Sequence, residues 1–121
     1  MIVKVDHENF HDEVYHHAGP VVLTFGYTGC APCRTLAVEL EKLNHQDGVK
    51  VVKADIGDSP ELATHFKINS VPTTLFFARG EPRIQWNGVA NLHKLRKLLG
   101  EAIEDGEKAP ADHVHGNLQL I

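Results

Sequence analysis

The sequence predicts an α/β fold, a central mixed β-sheet flanked by helices on both faces. Three observations lead there. Two apolar, β-branched runs, Val21 to Phe25 and Val49 to Asp55, are joined by a stretch in which Leu36, Ala37, Leu40 and Leu43 recur at helical spacing. Such a β-α-β unit normally makes its strands parallel. Thr73 to Ala78 then reads as a strong strand, Arg79-Gly80-Glu81-Pro82 as a hairpin turn and Arg83 to Trp86 as the returning strand. Finally, Leu92, Leu95, Leu98, Leu99, Ala102 and Ile103 form an apolar stripe beside His93, Lys94, Arg96 and Lys97, which predicts an amphipathic helix.

The elements follow in the order βαβαβαββα. Ile2 to Val5 predicts a short first strand, and Asp6 or His7 opens a helix through about His17 with Phe10 and Val14 on one face, ended by Gly19-Pro20. Val21 to Phe25 has the pattern of a central strand covered on both sides, and Gly26-Tyr27-Thr28-Gly29 is a loop. The helix after Cys33 carries Glu39, Glu41 and Lys42 on its polar side, with Gly48 soon after it. Ser59-Pro60-Glu61 supplies an N-cap, a first-turn proline and an early acid for a short helix that buries Leu62, Ala63 and Phe66 and stops near Lys67. Asn69-Ser70-Val71-Pro72 leads into the hairpin. No sustained period runs from Asp105 to Ile121, so a single domain over 1–104 and a tail over 105–121 are expected, with Leu118, Leu120 and Ile121 available to pack.

With 121 residues and 42% hydrophobic content, the chain holds one core and has no room for a second domain. Twelve Lys and Arg against sixteen Asp and Glu leave a formal charge of -4, and the basic residues are scattered. Nucleic acid, phosphate and acidic membranes therefore have no electrostatic footprint. The start turns polar too early for a signal-peptide core, and no run approaches the roughly 18 apolar residues of a membrane span. A cytoplasmic location and a monomer are expected.

The two cysteines, Cys30 and Cys33, enclose almost no chain. A disulfide between them is a poor staple, and reactivity is the better reason for one. Cys30 stands where the helix begins, where unpaired N–H groups and the positive helix end favour a thiolate. Ala31 and Pro32 keep the second thiol in reach, since proline is tolerated in a first helical turn. One turn into the helix, Cys33 is expected to be the more buried, resolving thiol. Two other readings stand beside this one. The pair could be half of a zinc site, although no second CxxC exists and the closest-spaced histidines, His113 and His115, lack finger spacing. It could also be two reduced core cysteines. No metal is assigned: His16, His17, His65 and His93 fall on or beside predicted helices, where solvated histidine is the ordinary case. Pro72 reads either as a strand-starting proline or as a cis bond after Val71 that presents an extended backbone edge to a substrate chain.

From Val21 to Leu99, and more loosely before it, the chain resembles the thioredoxin family. The family's WCGPC motif aligns with Gly29-Cys30-Ala31-Pro32-Cys33, followed by Arg34. Val71-Pro72-Thr73 is similar to the family's cis-proline loop, Gly80 to its hairpin glycine and Gly88 to the glycine on the substrate-binding side. Lys53 falls where a family lysine lies beneath the active site. The resemblance implies that Cys30 is the nucleophile and Cys33 the resolving thiol, that Val71, Pro72, Thr73, Gly29 and Gly88 meet substrate, and that Ala31, Pro32, Thr24 and Lys53 support the site.

The departures lie close to the chemistry. Thr24 replaces a buried aspartate that the family links to proton transfer, and a hydroxyl is no carboxylate base. If buried, Lys53 lacks its acidic neighbour and must snorkel or find another partner. Gly29 and Gly26 replace aromatics, leaving a wider approach to Cys30. Ala31 replaces glycine, and Trp86 occupies neither aromatic place.

The function expected is reduction of protein disulfides by dithiol–disulfide exchange. No organic cofactor is bound, and reducing equivalents come from NADPH through a separate thioredoxin reductase, as the resemblance implies. A GxGxxG nucleotide fingerprint is absent from the sequence. The alternatives are a weakly active binding or chaperone module on the same scaffold, and a thiol oxidase.

Overall fold

A computed structural model describes residues 2–108. Its five-stranded sheet has the order β1-β3-β2-β4-β5, with β1 over Val3–Lys4, β2 over Val21–Gly26, β3 over Lys50–Asp55, β4 over Thr73–Ala78 and β5 over Glu81–Asn87. β3 pairs in parallel with β1 and β2, while β4 runs antiparallel to β2 and β5, so the sheet is mixed. α1 spans Ala31–Asp47, α2 Pro60–His65 and α3 Leu92–Lys108.

Strand alternation divides the core in two. Val21, Leu23 and Phe25 of β2 point to one face, which Phe10, Val14 and Leu62 cover. Val22 belongs to the other, where Leu36, Leu40 and Leu43 of α1 and Leu95, Leu98 and Leu99 of α3 pack against Val51 and Phe76. All six residues of β4 are buried, as its position between two strands and two helical layers requires. α1 also holds α3 in place: Glu39 accepts a hydrogen bond from the Leu92 N–H at 2.9 Å, and Arg96 of α3 grips Asp47 through both carboxylate oxygens at 2.8 Å.

The structure corrects the sequence at four places. The first helix is reduced to a five-residue π-helical turn, His11–Tyr15. Asp6 does open the segment: its Oδ1 accepts the N–H groups of Glu8 and Asn9 while Asn9 Oδ1 accepts the Asp6 N–H, a reciprocal cap, and the π geometry enters further on, where the His16 N–H bonds the His11 carbonyl five residues back. Phe10 and Val14 still reach the core. Ser59 stands at the start of α2 but makes no capping bond, and its hydroxyl is buried without a hydrogen-bond partner among the described residues.

The hairpin turn is Arg79-Gly80 alone, with positive φ of 54° and 76°, the backbone that a two-residue hairpin needs. Glu81 and Pro82 already belong to β5, an edge strand that tolerates proline. Finally, α3 continues past Asp105, where the tail was expected to start. Gly106 lies four residues after buried Ala102 and is itself buried against Ala78, while Asp105 reaches Arg83. Small residues continue the helix's inner face without adding to its hydrophobic period. Residues 109–121, with His113, His115, Leu118, Leu120 and Ile121, lie outside the described residues.

Candidate active site

β2 ends at Gly26 and the chain turns through Tyr27-Thr28-Gly29 to Cys30, the N-cap of α1. Gly29 has φ +88°, a conformation natural to glycine, and nothing lies within 4 Å of where its Cβ would be. Cys30 is extended (φ -82°, ψ 109°), with Ala31 and Pro32 exposed in the first turn. Proline costs nothing there, since first-turn N–H groups have no helical acceptor.

Cys30 and Cys33 are joined in a disulfide with their Cα atoms 5.3 Å apart. The Cys33 N–H donates to Cys30 Sγ at 3.2 Å. That bond joins a free N–H at the start of a 17-residue helix to the first sulfur, where it holds negative charge when the disulfide opens. Both cysteines are half-buried, so accessibility alone does not separate them.

Thr24, Gly26 and Lys53 share the α1 side of the sheet. Thr24 pairs in register with Lys53 on one neighbour and with Thr74 on the other, whose hydroxyl donates to Thr24 Oγ1 at 3.3 Å. The position therefore holds a neutral hydroxyl pair. Lys53 is exposed rather than buried, so its ammonium stays in water and needs no acidic neighbour. Thr24, Gly26, Cys33, Lys53 and Arg34 line an open cleft of about 590 Å³ between α1 and β3.

The Val71–Pro72 bond is cis. Thr73 lies opposite Phe25 in the sheet, so the Pro72 loop and the loop carrying Cys30 leave the same end of neighbouring strands. The Gly88 N–H, at φ +102°, donates to the Pro72 carbonyl at 2.8 Å, and Thr73 Oγ1 bonds the Ser70 carbonyl at 2.7 Å and Asn87 Oδ1 at 3.2 Å. Val71, Pro72, Thr73 and Gly88 are thus tied into one unit. Trp86 sits apart, its Nε1 donating to the Val89 carbonyl and its ring under Lys94 Nζ at 4.6 Å.

Asp55 is a site residue that the cysteine spacing does not reveal. Its carboxylate accepts the N–H groups of Gly57 and Asp58 and the Thr28 hydroxyl, clamping the loop before Cys30 to the end of β3. Burial would raise its pKa, but these hydrogen bonds outweigh burial and hold it below the ordinary aspartate value. Its sequence signal is the Asx-turn pattern Asp55-Ile56-Gly57-Asp58. Among the described residues, no three His, Cys, Asp or Glu side chains gather into a metal-binding group, and no helix is long and apolar enough to cross a membrane.

A family model described as Thioredoxin matches residues 1–101. The chain belongs to the thioredoxin family. It is 34% identical over 104 residues to Thioredoxin C-2 of Corynebacterium nephridii, covering 84% of this chain and 96% of that protein. It is 35% identical over 82 residues to a thioredoxin of Griffithsia pacifica, covering 66% of this chain and 75% of that one. The crystal structure of chloroplastic thioredoxin z superposes with a TM-score of 0.77 at 29% identity, covering 87% of this chain and 96% of that one. Membership explains why an N-cap disulfide and a cis-proline loop occur at one end of a mixed sheet. A disulfide pair in this fold performs dithiol–disulfide exchange, and the protein is a thioredoxin-type oxidoreductase and electron carrier.

Proposed function

We infer that the protein reduces disulfides of other proteins, with Cys30 as the attacking thiol and Cys33 as the resolving one. The Cys33 N–H aimed at Cys30 Sγ carries this reading, because it stabilises a thiolate at Cys30 in a position where α1 adds its positive end. The Cys30 thiolate attacks a substrate disulfide, forming a mixed disulfide and releasing one substrate thiolate, which takes a proton from water. Cys33 loses its proton, attacks Cys30 Sγ and releases the second substrate thiolate. Two electrons pass to the substrate, and the Cys30–Cys33 bond of the structure is restored.

Thr24 carries no carboxylate, so the proton of Cys33 leaves to water through the open cleft beside it. Substrate backbone pairs with the edge at Val71, next to the cis bond at Pro72, with Thr73 and Gly88 holding that edge and Gly29 leaving room above Cys30. The oxidised protein is recharged from NADPH by a separate thioredoxin reductase. Work in a reducing compartment such as the cytoplasm suits a pair that is too closely spaced to be a structural staple.

Insulin reduction with NADPH and a thioredoxin reductase, run on wild type, Cys30→Ser and Cys33→Ser, tests the assignment. Wild type is expected to turn over, Cys30→Ser to be inert, and Cys33→Ser to accumulate a mixed disulfide at Cys30. Faster iodoacetamide modification of Cys33 than of Cys30 in the reduced protein would reverse the two roles. Equal rates of insulin reduction by all three proteins would favour a binding module.

A further inference from the structure

Four large apolar side chains stand exposed among the described residues, and Tyr27, 55% exposed, is the one aromatic among them. Single exposed apolar residues are common, and exposure alone says nothing of function. Tyr27 differs in being held in place, on the loop of the reacting sulfur. Its carbonyl accepts the Cys30 N–H at 3.1 Å. To either side of it, the Gly26 carbonyl accepts the Ile56 N–H at 3.0 Å and the Thr28 hydroxyl donates to Asp55, so the loop is fastened to the end of β3. The ring lies against Gly57, where a Cβ would stand 3.2 Å from Tyr27 Cε1 and 3.7 Å from Cδ1. Glycine lets the ring rest on the backbone, and a substrate that covers it meets a surface already ordered.

Sheet order places that ring on the path of a substrate chain. The loops leaving β3 and β2, entering β4 and leaving β5 carry Gly57, Cys30, Pro72 and Gly88 in that spatial order. A substrate strand that pairs with the Val71 edge and brings its cysteine to Cys30 has already moved from β4 to β2. One further strand spacing, about 4.8 Å or about one to two extended residues, carries it over the end of β3, where Tyr27 covers Gly57. Gly29 has no side chain to block that step, and nothing lies within 4 Å of its would-be Cβ.

Charge does not choose what sits there. Tyr27 borders the cleft whose lining ions are Lys4, Arg34 and Lys53 against Glu41 and Asp55, and Asp58 pairs with Lys4. Three cations meet three anions, so an ionic side chain gains no net attraction. What the ring offers is apolar area and a π-system, which a second aromatic side chain uses best.

We propose that Tyr27 is a specificity-determining residue that selects protein disulfides with an aromatic side chain one or two residues from the reacting cysteine, on the side away from the Val71 pairing. This rests on the reading that Cys30 attacks disulfides of other proteins. In that attack the Cys30 thiolate bonds to the substrate sulfur, the substrate disulfide breaks and its second sulfur leaves as a thiolate. The aromatic contact holds the substrate in position and takes no part in the electron transfer.

Homodimeric disulfides of short, end-blocked peptides with one cysteine each test this. One peptide carries phenylalanine at the two positions before the cysteine, a second at the two positions after it, and a third has serine at all four. Full-length protein is reduced with dithiothreitol, freed of it and mixed with each peptide, and acid-quenched samples are separated by liquid chromatography to give second-order rates. One of the two phenylalanine peptides is expected to react about five- to twentyfold faster than the serine peptide. That ratio should fall below about twofold in Tyr27→Ala and persist in Tyr27→Phe, which keeps the ring. No preference in wild type, a preference that Tyr27→Ala leaves intact, its loss in Tyr27→Phe, or equal preference for both phenylalanine peptides overturns the proposal. Insulin reduction separates the two readings. If insulin is reduced while the peptides show no preference, the Tyr27 contact alone fails; if neither insulin nor any peptide is reduced, the protein-substrate reading fails and takes the proposal with it.

Discussion

Two glycines of α3, six residues apart, are predicted to respond to alanine with opposite signs. Gly100 is exposed in the helix interior with nothing within 4 Å of its would-be Cβ. Gly100→Ala therefore collects the full difference in helix propensity, about 0.8–1 kcal/mol, and raises the melting temperature by about 4 °C. At Gly106 the added Cβ would stand 3.0 Å from Ala78 Cβ and 3.6 Å from the Ala78 carbonyl carbon and oxygen. Carbon atoms prefer about 3.5–4.0 Å, so something must move by about half an ångström. Ala78 cannot easily do so, because it is paired with Glu81 in the sheet. Overpacking of this kind costs about 1–3 kcal/mol, against a propensity gain of under about 1 kcal/mol near a helix end, leaving a net loss of about 1 kcal/mol. Urea denaturation read by far-UV circular dichroism measures both, with m expected to be unchanged. If Gly106→Ala stabilises the protein as much as Gly100→Ala does, the last turns of α3 are not held against β4 and the placement of Gly106 is refuted.

Acid should act through Asp55. Its pKa is held below the ordinary 3.8, so its hydrogen bonds contribute stability above that value and lose it as pH falls through the folded value. Asp55→Asn is expected to cost about 1 kcal/mol at neutral pH, with the gap from wild type closing below pH 3.8 in parallel urea titrations. A gap that persists undiminished at pH 2 would mean that the carboxylate charge is not what clamps the loop. Alkali should act through Tyr15, whose pKa is pushed up from 10.0 to about 12 by burial first and by the nearby Glu81 carboxylate second. The folded state resists ionisation, so stability falls as pH rises from 10.0 toward 12, and Tyr15→Phe should show a shallower decline. Absorbance titration of the phenolates checks this directly, and a normal Tyr15 midpoint would rule it out.

What was legible in the sequence is what local pattern controls. A continuous apolar run, a helical stripe and a β-α-β spacing specified β2, α1 and β3. Pro32 in a first turn and the position of Cys30 before the Leu36 to Leu43 stripe placed the reactive pair at a helix N-terminus, because proline tolerance and helical period are properties of the chain itself. Strand alternation likewise put Thr24 and Gly26 on the same face. Which layer covers that face, and whether it is sealed, depends on residues far away in the chain. Only the tertiary structure decided that Lys53 stands in solvent, that Gly26 leaves Cys33 open to a cleft, and that Gly88 holds the Pro72 carbonyl. The same reason explains the errors at both ends. The bond from the His16 N–H to the His11 carbonyl widens the first helix into a π turn, and Gly106 continues the last one through close contact with Ala78, interactions that a hydrophobic period does not register.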